Sequence, residues 1–97
     1  METMYVLVRS DMSWGQRSVQ GGHAVAEYLL RHPRPQWRNG TMVYLAVSGE
    51  FELSEWEHEL DSQNINYATF REPDLRNQRT ALATVAPKII FQSLRLL

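Results

Sequence analysis

The sequence predicts an α/β fold: a single domain with three α/β/α layers, in which helices cover both faces of a four-stranded mixed sheet. Four short segments are rich in residues that favour β-strands, and two longer segments repeat apolar residues at helical spacing. The strand segments are residues 4–8, 41–47, 67–71 and 80–86. With a short closing helix, they give the order β-α-β-α-β-β-α over residues 1–97, a length typical of one domain.

The first helix is predicted to begin near Trp14 and to run to about Arg31. Ser13 and Gln16 stand at the spacing of a capping box, in which each side chain binds the other residue's backbone N–H. Its predicted apolar face comprises Val19, Gly22, Ala26, and Leu29 or Leu30. Proline lacks the backbone N–H that a helix interior needs, and two prolines follow this segment, Pro33 and Pro35.

The second helix is predicted from an apolar stripe that comprises Phe51, Leu53, Trp56 and Leu60. Six acids and no Lys or Arg fall within residues 50–61, which is typical of a helix whose other face meets water. Asn64 suits the end of this helix, because asparagine tolerates the left-handed backbone conformation found there. We expect the closing helix over residues 87–94, with Pro87 in its first turn.

The net charge of −1 hides an uneven distribution. Outside residues 50–61 the chain carries ten basic residues and five acids, and nine of the basic residues are Arg. Arginine is well suited to bidentate contact with phosphate, so this part of the chain is compatible with an anionic partner. The same composition also fits an acidic helix face with solvated arginines elsewhere.

Several functional classes lack their sequence signals. Without cysteine there is no disulfide or thiolate chemistry, and the chain has no apolar run of 18 residues that would predict a membrane span. The phosphate-binding glycine motifs and the Gly-x-Ser-x-Gly motif of hydrolases are missing, and the three histidines are not at metal-ligand spacing. We therefore expect no metal and no cofactor, no membrane partner, and a cytoplasmic location.

The segment Gln20-Gly21-Gly22-His23-Ala24 is the main candidate site. It lies early in the first predicted helix, near the end of the first strand, where open α/β sheets bind their ligands. His23 could act as a general base or a proton relay, or be a structural histidine. Gln20 could orient a water or a carbonyl group, or simply face solvent. Asp11 could orient a neighbouring group, or cap a turn.

Two further features leave alternatives open. The three tryptophans could stack on nucleic-acid bases, although Trp56 fits the core stripe better than Trp14 or Trp37 does. The polar loop before the fourth strand concentrates acids, amides and arginines, and functional residues are common in such loops. Its members are Glu72, Asp74, Arg76, Gln78, Arg79 and Thr80.

Several separated segments resemble one known family, the type-2 peptidyl-tRNA hydrolases. The run Val6-Leu7-Val8-Arg9-Ser10-Asp11 resembles the family's opening strand, and residues 15–24 resemble its segment Gly-Lys-x-x-x-Gln-x-x-His-Ala. Residues 70–74 and 80–83 resemble the family's loop and last strand. The resemblance covers nearly the whole chain and implies an α/β/α domain that cleaves the ester between a peptide and the 3′ ribose of tRNA without a cofactor.

The resemblance also implies site residues. The positions that match the family's catalytic residues are Asp11, Gln20, His23 and Thr80, with Asp74 or Glu72 as the acid in the loop. Gln16 stands where the family carries a lysine. Because a neutral amide lacks the lysine charge, this difference predicts a rate loss of about 100-fold or more. Arg17 points about 100° around the helix from position 16, so it does not simply replace that lysine.

The partner implied by the resemblance is tRNA, with homodimer formation as a further option. The arginines expected to contact its phosphates are Arg9, Arg17, Arg71, Arg76 and Arg79. Gln16 motivates an alternative, a weakly active or inactive homologue that binds RNA or protein. A third reading is a small dimeric scaffold that assembles through exposed apolar residues such as Phe91 and Leu94.

Overall fold

The structure, a computed structural model, describes residues 2–33 and 36–97. Its strands and α-helices are β1 (Thr3–Arg9), α1 (Trp14–Arg31), β2 (Thr41–Val47), α2 (Glu50–Ser62), β3 (Tyr67–Glu72) and β4 (Gln78–Val85). Two short 3-10 helices cover Pro73–Leu75 and Lys88–Phe91. The predicted order of the four strands and the first two helices is confirmed, and Pro35 lies outside the described residues.

The four strands form one mixed sheet in the order β2-β1-β4-β3. β1 pairs in parallel with β2, while β4 runs antiparallel to both β1 and β3. The carboxyl ends of β1, β2 and β3 therefore meet the start of β4 at one edge, here called the carboxyl edge. The start of α1 follows β1 at the same edge, so the predicted site residues are brought to one end of the sheet.

Side chains of the central strands alternate between two apolar layers, as expected for a sheet covered on both faces. On one face, Met4, Val6 and Val8 of β1 pack with Ala24 and Tyr28 of α1. On the other face, the clustered residues include Tyr5, Leu7, Leu53, Leu60 and Leu82. Each large side chain buried in this way contributes roughly 1.5–3 kcal/mol, and the two layers confirm the three-layer prediction.

The predicted apolar face of α1 is wrong. Val19 and Leu30 are 56% and 77% exposed, and the buried residues are Gln20, Gly21, Ala24 and Tyr28. Both sets have helical spacing, so spacing does not distinguish them. The buried face is the one that contains Gly21, because the lack of a side chain there allows α1 to pack closely against the ring of Tyr44 on the sheet.

The predicted stripe of α2 needs one correction. Leu53 and Leu60 are fully buried, but Phe51 is 77% exposed. Phe51 lies two positions before Leu53, which is about 200° around a helix, so the two side chains cannot face the same layer. Asn64 has the left-handed backbone conformation (φ 55°) that its predicted role at the end of this helix requires.

The end of the chain differs from the predicted closing helix. Only Lys88–Phe91 form a short 3-10 helix, because Phe91 turns inward to pack against Tyr5 and Trp56 at ring distances of 5.0 and 5.1 Å. Phe91 is 3% exposed, so it is not available for assembly as the scaffold interpretation required. Homodimer formation stays a prediction.

Candidate functional site

The candidate site lies where the second turn of α1 crosses the end of β3 and the start of β4. α1 begins as predicted: Gln16 N–H donates to Ser13 Oγ at 3.3 Å and Ser13 N–H donates to Gln16 Oε1 at 3.1 Å. This capping box sets the position of the helix start and thus the direction of the residues one turn later. Gln20 is directed toward the sheet, while His23 is exposed.

The Gln20 side chain is 5% exposed and is held at both ends. Its Nε2 donates to Glu72 Oε1 at 2.7 Å, and its Oε1 accepts from the Thr80 hydroxyl at 2.6 Å. An ionised carboxylate can only accept hydrogen bonds, so the contact with Glu72 sets which amide atom is the nitrogen. The interpretation of Gln20 as a solvent-facing helix residue is therefore wrong.

Glu72 ends β3 and is the acid that reaches the site. The hydrogen bond from Gln20 lowers the pKa of Glu72, and so, in decreasing order, do the Asp74 backbone N–H and the charge of His23, whereas desolvation raises it. The Asp74 N–H donates to Glu72 Oε2 at 3.2 Å. Asp74 thus contributes its backbone to the site, and its own side chain is exposed.

His23 lies at the surface of this group. Its imidazole stacks on the ring of Phe70, with centroids 4.3 Å apart and planes within 10° of parallel. Stacking holds the ring orientation while its edge remains open to solvent. The structure therefore brings Gln20, His23, Glu72 and Thr80 together, with two buried polar groups beneath two accessible titratable ones.

Asp11 belongs to a different cluster. Both of its carboxylate oxygens accept from Arg9, at 2.9 and 2.8 Å, and this bond is the main reason that the pKa of Asp11 is lowered. Arg9 also donates to Gln78 Oε1 and to the Arg79 carbonyl, at 2.9 and 3.0 Å. Arg9 thus ties the β1–α1 loop to the start of β4.

Three of the five predicted phosphate-binding arginines are engaged within the protein. Arg9 is held as described above. Arg17 donates to the carbonyls of Met12 and Ser10 at 2.8 and 2.6 Å. Arg79 pairs with Glu57 at 2.9 Å and with Glu50 at 3.7 Å.

The remaining two arginines, Arg71 and Arg76, are exposed near the carboxyl edge. Arg71 makes a long hydrogen bond of 3.3 Å to the Asn77 carbonyl. Arg76 lies in the β3–β4 loop with a left-handed backbone (φ 55°). These two are better placed to meet a polyanion than the arginines held by internal partners.

The three tryptophans have different environments. Trp37 is 6% exposed and its indole N–H donates to the Thr41 carbonyl at 2.8 Å, so it belongs to the core. Trp56 is partly buried against Phe91. Trp14 is 65% exposed, which leaves it alone among the three as an open aromatic surface.

Other parts of the described structure offer less chemistry. Within residues 2–33 and 36–97, no cluster of three or more His, Cys, Asp or Glu side chains could hold a metal ion. No helix in the same ranges is long and apolar enough to cross a membrane. An open cleft of about 660 Å³ lies at the end of the sheet opposite the carboxyl edge, lined by residues such as Tyr28, Arg31 and Asn64, and it includes none of the site residues.

Sequence reasoning missed two residues that shape the site. Phe70, the stacking partner of His23, stood in a quoted motif but carried no signal of that role. Tyr44 packs over Gly21, with its hydroxyl oxygen 2.8 Å from where a Cβ would lie. The paired glycines hinted at a close neighbour but did not identify it.

Comparison with known proteins agrees with this architecture. A family model described as peptidyl-tRNA hydrolase PTH2 matches residues 2–93. Among solved structures, a protein of unknown function from Agrobacterium tumefaciens superimposes with a TM-score of 0.73 at 14% identity, covering 99% of this chain and 97% of that one. At this identity the likeness shows the fold. A comparison with curated proteins finds no match.

Proposed function

Because the chain belongs to the peptidyl-tRNA hydrolase PTH2 family, we propose that it hydrolyses the ester between a peptide and the 3′ ribose of tRNA. One observation carries the proposal: hydrogen bonds run from buried Thr80 through Gln20 to Glu72, and the exposed His23 ring, stacked on Phe70, is close enough for its charge to lower the pKa of that carboxylate. Such a group needs no metal to move a proton, which suits ester hydrolysis by water.

Burial suggests the division of labour. Thr80 is fully buried and Gln20 nearly so, so we assign both as positioning residues that hold the Glu72 carboxylate. Glu72 and His23 have the accessible atoms and would meet the substrate and the attacking water. The negative charge of Glu72 would stabilise the imidazolium that forms when His23 accepts a proton.

At the ester carbon, the proposed reaction makes one carbon–oxygen bond and breaks another. The water oxygen bonds to the ester carbonyl carbon while His23 takes a proton from that water. The bond from this carbon to the ribose oxygen then breaks, and His23 returns the proton to the ribose oxygen. The products are a peptide carboxylate and a tRNA with a free 3′ hydroxyl, with the second water proton released to solvent.

The test is release of free tRNA from a peptidyl-tRNA by purified protein. His23→Ala should lower kcat/KM by about 100-fold or more, the usual contribution of a positioned general base. His58→Ala is the matched control, because His58 is exposed on α2 and away from the site. No release above background by the folded parent protein would overturn the hydrolase proposal.

A second candidate is an RNA-binding homologue that does not cleave. It is motivated by the contacts of Gln16, which stands at the position of the expected lysine, and of its neighbour Arg17. The Gln16 side chain is used in the capping box, and Arg17 is bound to two backbone carbonyls. Neither places a free cation beside Gln20, so charge developing on the ester would lack the ionic partner that the family's lysine supplies.

Substitution at position 16 separates the two candidates. If a lysine charge is what the site lacks, Gln16→Lys should raise turnover by 10-fold or more. Gln16→Met is the control, because it also removes the capping acceptor but adds no charge. Salt-sensitive RNA binding by an inactive parent, with turnover appearing in Gln16→Lys, would support the non-cleaving candidate. Equal turnover by the Lys and Met variants would count against a missing cation.

A further inference from the structure

Trp14 is a large aromatic side chain that the fold does not use. It is the first residue of α1 and is 65% exposed, and it belongs to neither apolar core cluster. A single exposed hydrophobic residue is ordinary on a protein surface. What distinguishes Trp14 is that its ring is held in place rather than left free.

Arg17 holds the ring. Its guanidinium carbon lies 4.0 Å from the centre of the Trp14 ring, the geometry of a cation–π contact. The guanidinium is itself anchored to the carbonyls of Ser10 and Met12 at 2.6 and 2.8 Å. The indole therefore has one face on a fixed cation, and its high exposure leaves the rest of the ring open. Because the ring is already held in one orientation, a flat ligand that binds against it loses little of the binding energy to ordering this side chain.

The surroundings of Trp14 suit an anionic ligand. Residues 12–26 contain no Asp or Glu, and the acid that directly precedes this segment, Asp11, is paired with Arg9. Gly15, the residue after Trp14, adds no side chain, and no atom lies within 4 Å of where its Cβ would be. Residues 12–26 thus add no negative charge that would repel a planar anionic ligand.

Trp14 also lies within reach of the candidate site. His23 lies nine positions after it, which is about 13.5 Å along a helix axis. About four nucleotides at roughly 3.4 Å each cover that distance. The two side chains do not share a helix face, so a bound strand would pass over the start of α1.

We propose that Trp14, braced by Arg17, is a stacking platform for an unpaired base near the 3′ end of the bound RNA. The inference rests on the proposed function for its choice of RNA, and it adds a contact with a base to the contacts expected with phosphates. Base–aromatic stacking tolerates any sequence, because every base has a π-face. It would hold the strand while the ester reaches His23 and Glu72.

The experiment uses the full chain and two probes, a short single-stranded RNA that ends in CCA and an abasic strand of equal length and charge. Trp14→Ala should weaken binding of the RNA by about 5- to 150-fold, the effect of losing one stacked base. Trp14→Phe should retain most of the affinity. Because no phosphate contact is lost, the salt dependence of RNA binding should be unchanged in both variants. The abasic strand should bind the parent protein and Trp14→Ala equally.

Fluorescence adds a reading that does not depend on substitution. Trp37 is buried and Trp56 is partly buried, so acrylamide quenching reports mainly on Trp14, and bound RNA should protect it. Equal RNA affinity of the parent and Trp14→Ala, or equal binding of the RNA and the abasic strand, would overturn the inference. If Trp14 were a docking point for another protein, RNA would bind with Trp14 still open to acrylamide, which also overturns it.

Failure of this inference is distinguishable from failure of the hydrolase proposal. Protection of Trp14 by RNA in a protein that releases no tRNA would support the platform and reject the enzyme. Turnover with the same KM in the parent and in Trp14→Ala would support the enzyme and reject the platform. Melting temperatures of the variants, which should stay close to that of the parent, show that each is folded.

Discussion

At the scale of single residues, the alternation of side chains along β1 explains why the expected site residues divide into two groups. Val8 faces the α1 layer, so Arg9 must face the other side of the sheet. Two hydrogen bonds hold Asp11 beside Arg9 on that side. The Asp11 carboxylate also lies near Gly49, which precedes α2. Gln20 and Thr80 meet on the α1 side instead. Proximity at the carboxyl edge was predictable from sequence, but this division was not.

The first prediction concerns which acid serves the site. Glu72→Gln should reduce kcat/KM by about 100-fold, because it removes the charge beside His23. Asp74→Asn should have little effect, since Asp74 contributes its backbone N–H. Both variants remain able to cap the short helix that follows. Steady-state kinetics on peptidyl-tRNA would measure this, and a larger loss in Asp74→Asn would reverse the assignment.

The pH profile gives a second reading of the same residue. The folded-state pKa of Glu72 is lowered, so its carboxylate stays ionised as pH falls through the ordinary range of glutamate. The contribution of this charge, measured as the ratio of kcat/KM in the parent to that in Glu72→Gln at each pH, is therefore retained as pH falls through that range and is lost only below it. Thr80→Val frees the Gln20 amide and weakens its bond to Glu72, so it should raise the pH at which this contribution is lost.

At the scale of elements, α1 carries two adjacent glycines with different reasons to be glycine. A Cβ on Gly21 would collide with the ring of Tyr44, whereas a Cβ on Gly22 would meet nothing within 4 Å. Gly21 therefore sets how closely α1 approaches β2. Gly22 weakens the helix without a packing reason in the fold, which agrees with an outer surface of α1 that is free for a partner.

The matching prediction compares alanine at both positions. Gly21→Ala should destabilise the protein by about 1–3 kcal/mol, the usual cost of overpacking. Gly22→Ala should stabilise it by up to about 1 kcal/mol through helix propensity. Urea unfolding followed by circular dichroism would measure both changes. If both variants shifted stability in the same direction, the Tyr44 contact would not be the reason for Gly21.

The end of the chain covers part of β2, which is the outermost strand on one side of the sheet. Ala46 N–H donates to the Arg95 carbonyl at 2.8 Å, and Leu97 N–H donates to the Tyr44 carbonyl at 3.1 Å. Leu96 thereby pairs with Leu45 as an isolated antiparallel bridge. These bonds satisfy part of the outer edge of β2, which would otherwise be open to pairing with another chain.

At the scale of the whole molecule, the acids of α2 do more than face water. Glu50 and Glu57 hold the side chain of Arg79, and the Glu50 carboxylate also accepts from the Arg79 backbone N–H at 2.8 Å. Glu57 further accepts from Thr69 at 2.6 Å. The acidic segment thus fastens α2 to β3 and β4, and it neutralises an arginine that composition alone would assign to phosphate.

Salt dependence of RNA binding should separate these roles. Arg76→Gln should weaken binding and reduce the slope of log K against log salt by about 0.7–0.9, the loss of one phosphate contact. Arg79→Met should leave that slope unchanged and lower the melting temperature, because it leaves Glu57 without its ionic partner. A reduced slope in Arg79→Met would show that Arg79 contacts RNA after all.

Much of this architecture follows from local pattern. Steric and hydrogen-bonding rules act between residues close in sequence. They determine the strands, the start of α1 at its capping box and the end of α2 at Asn64. The ordered motifs were also enough to indicate the family. The buried face of α1 was not predictable, because helical spacing repeats on more than one face, whereas the exposure of Phe51 follows from its angle to Leu53 around the helix.

The site itself depends on contacts between residues distant in sequence. Gln20 meets Glu72 and Thr80 across 52 and 60 positions, and no local rule states which of two nearby acids such a contact will take. Glu72 is in place because it ends β3 opposite the second turn of α1, whereas Asp74 has already turned away in the loop. Residue types can be read along the chain, but their partners follow from how α1 closes on the sheet at Gly21.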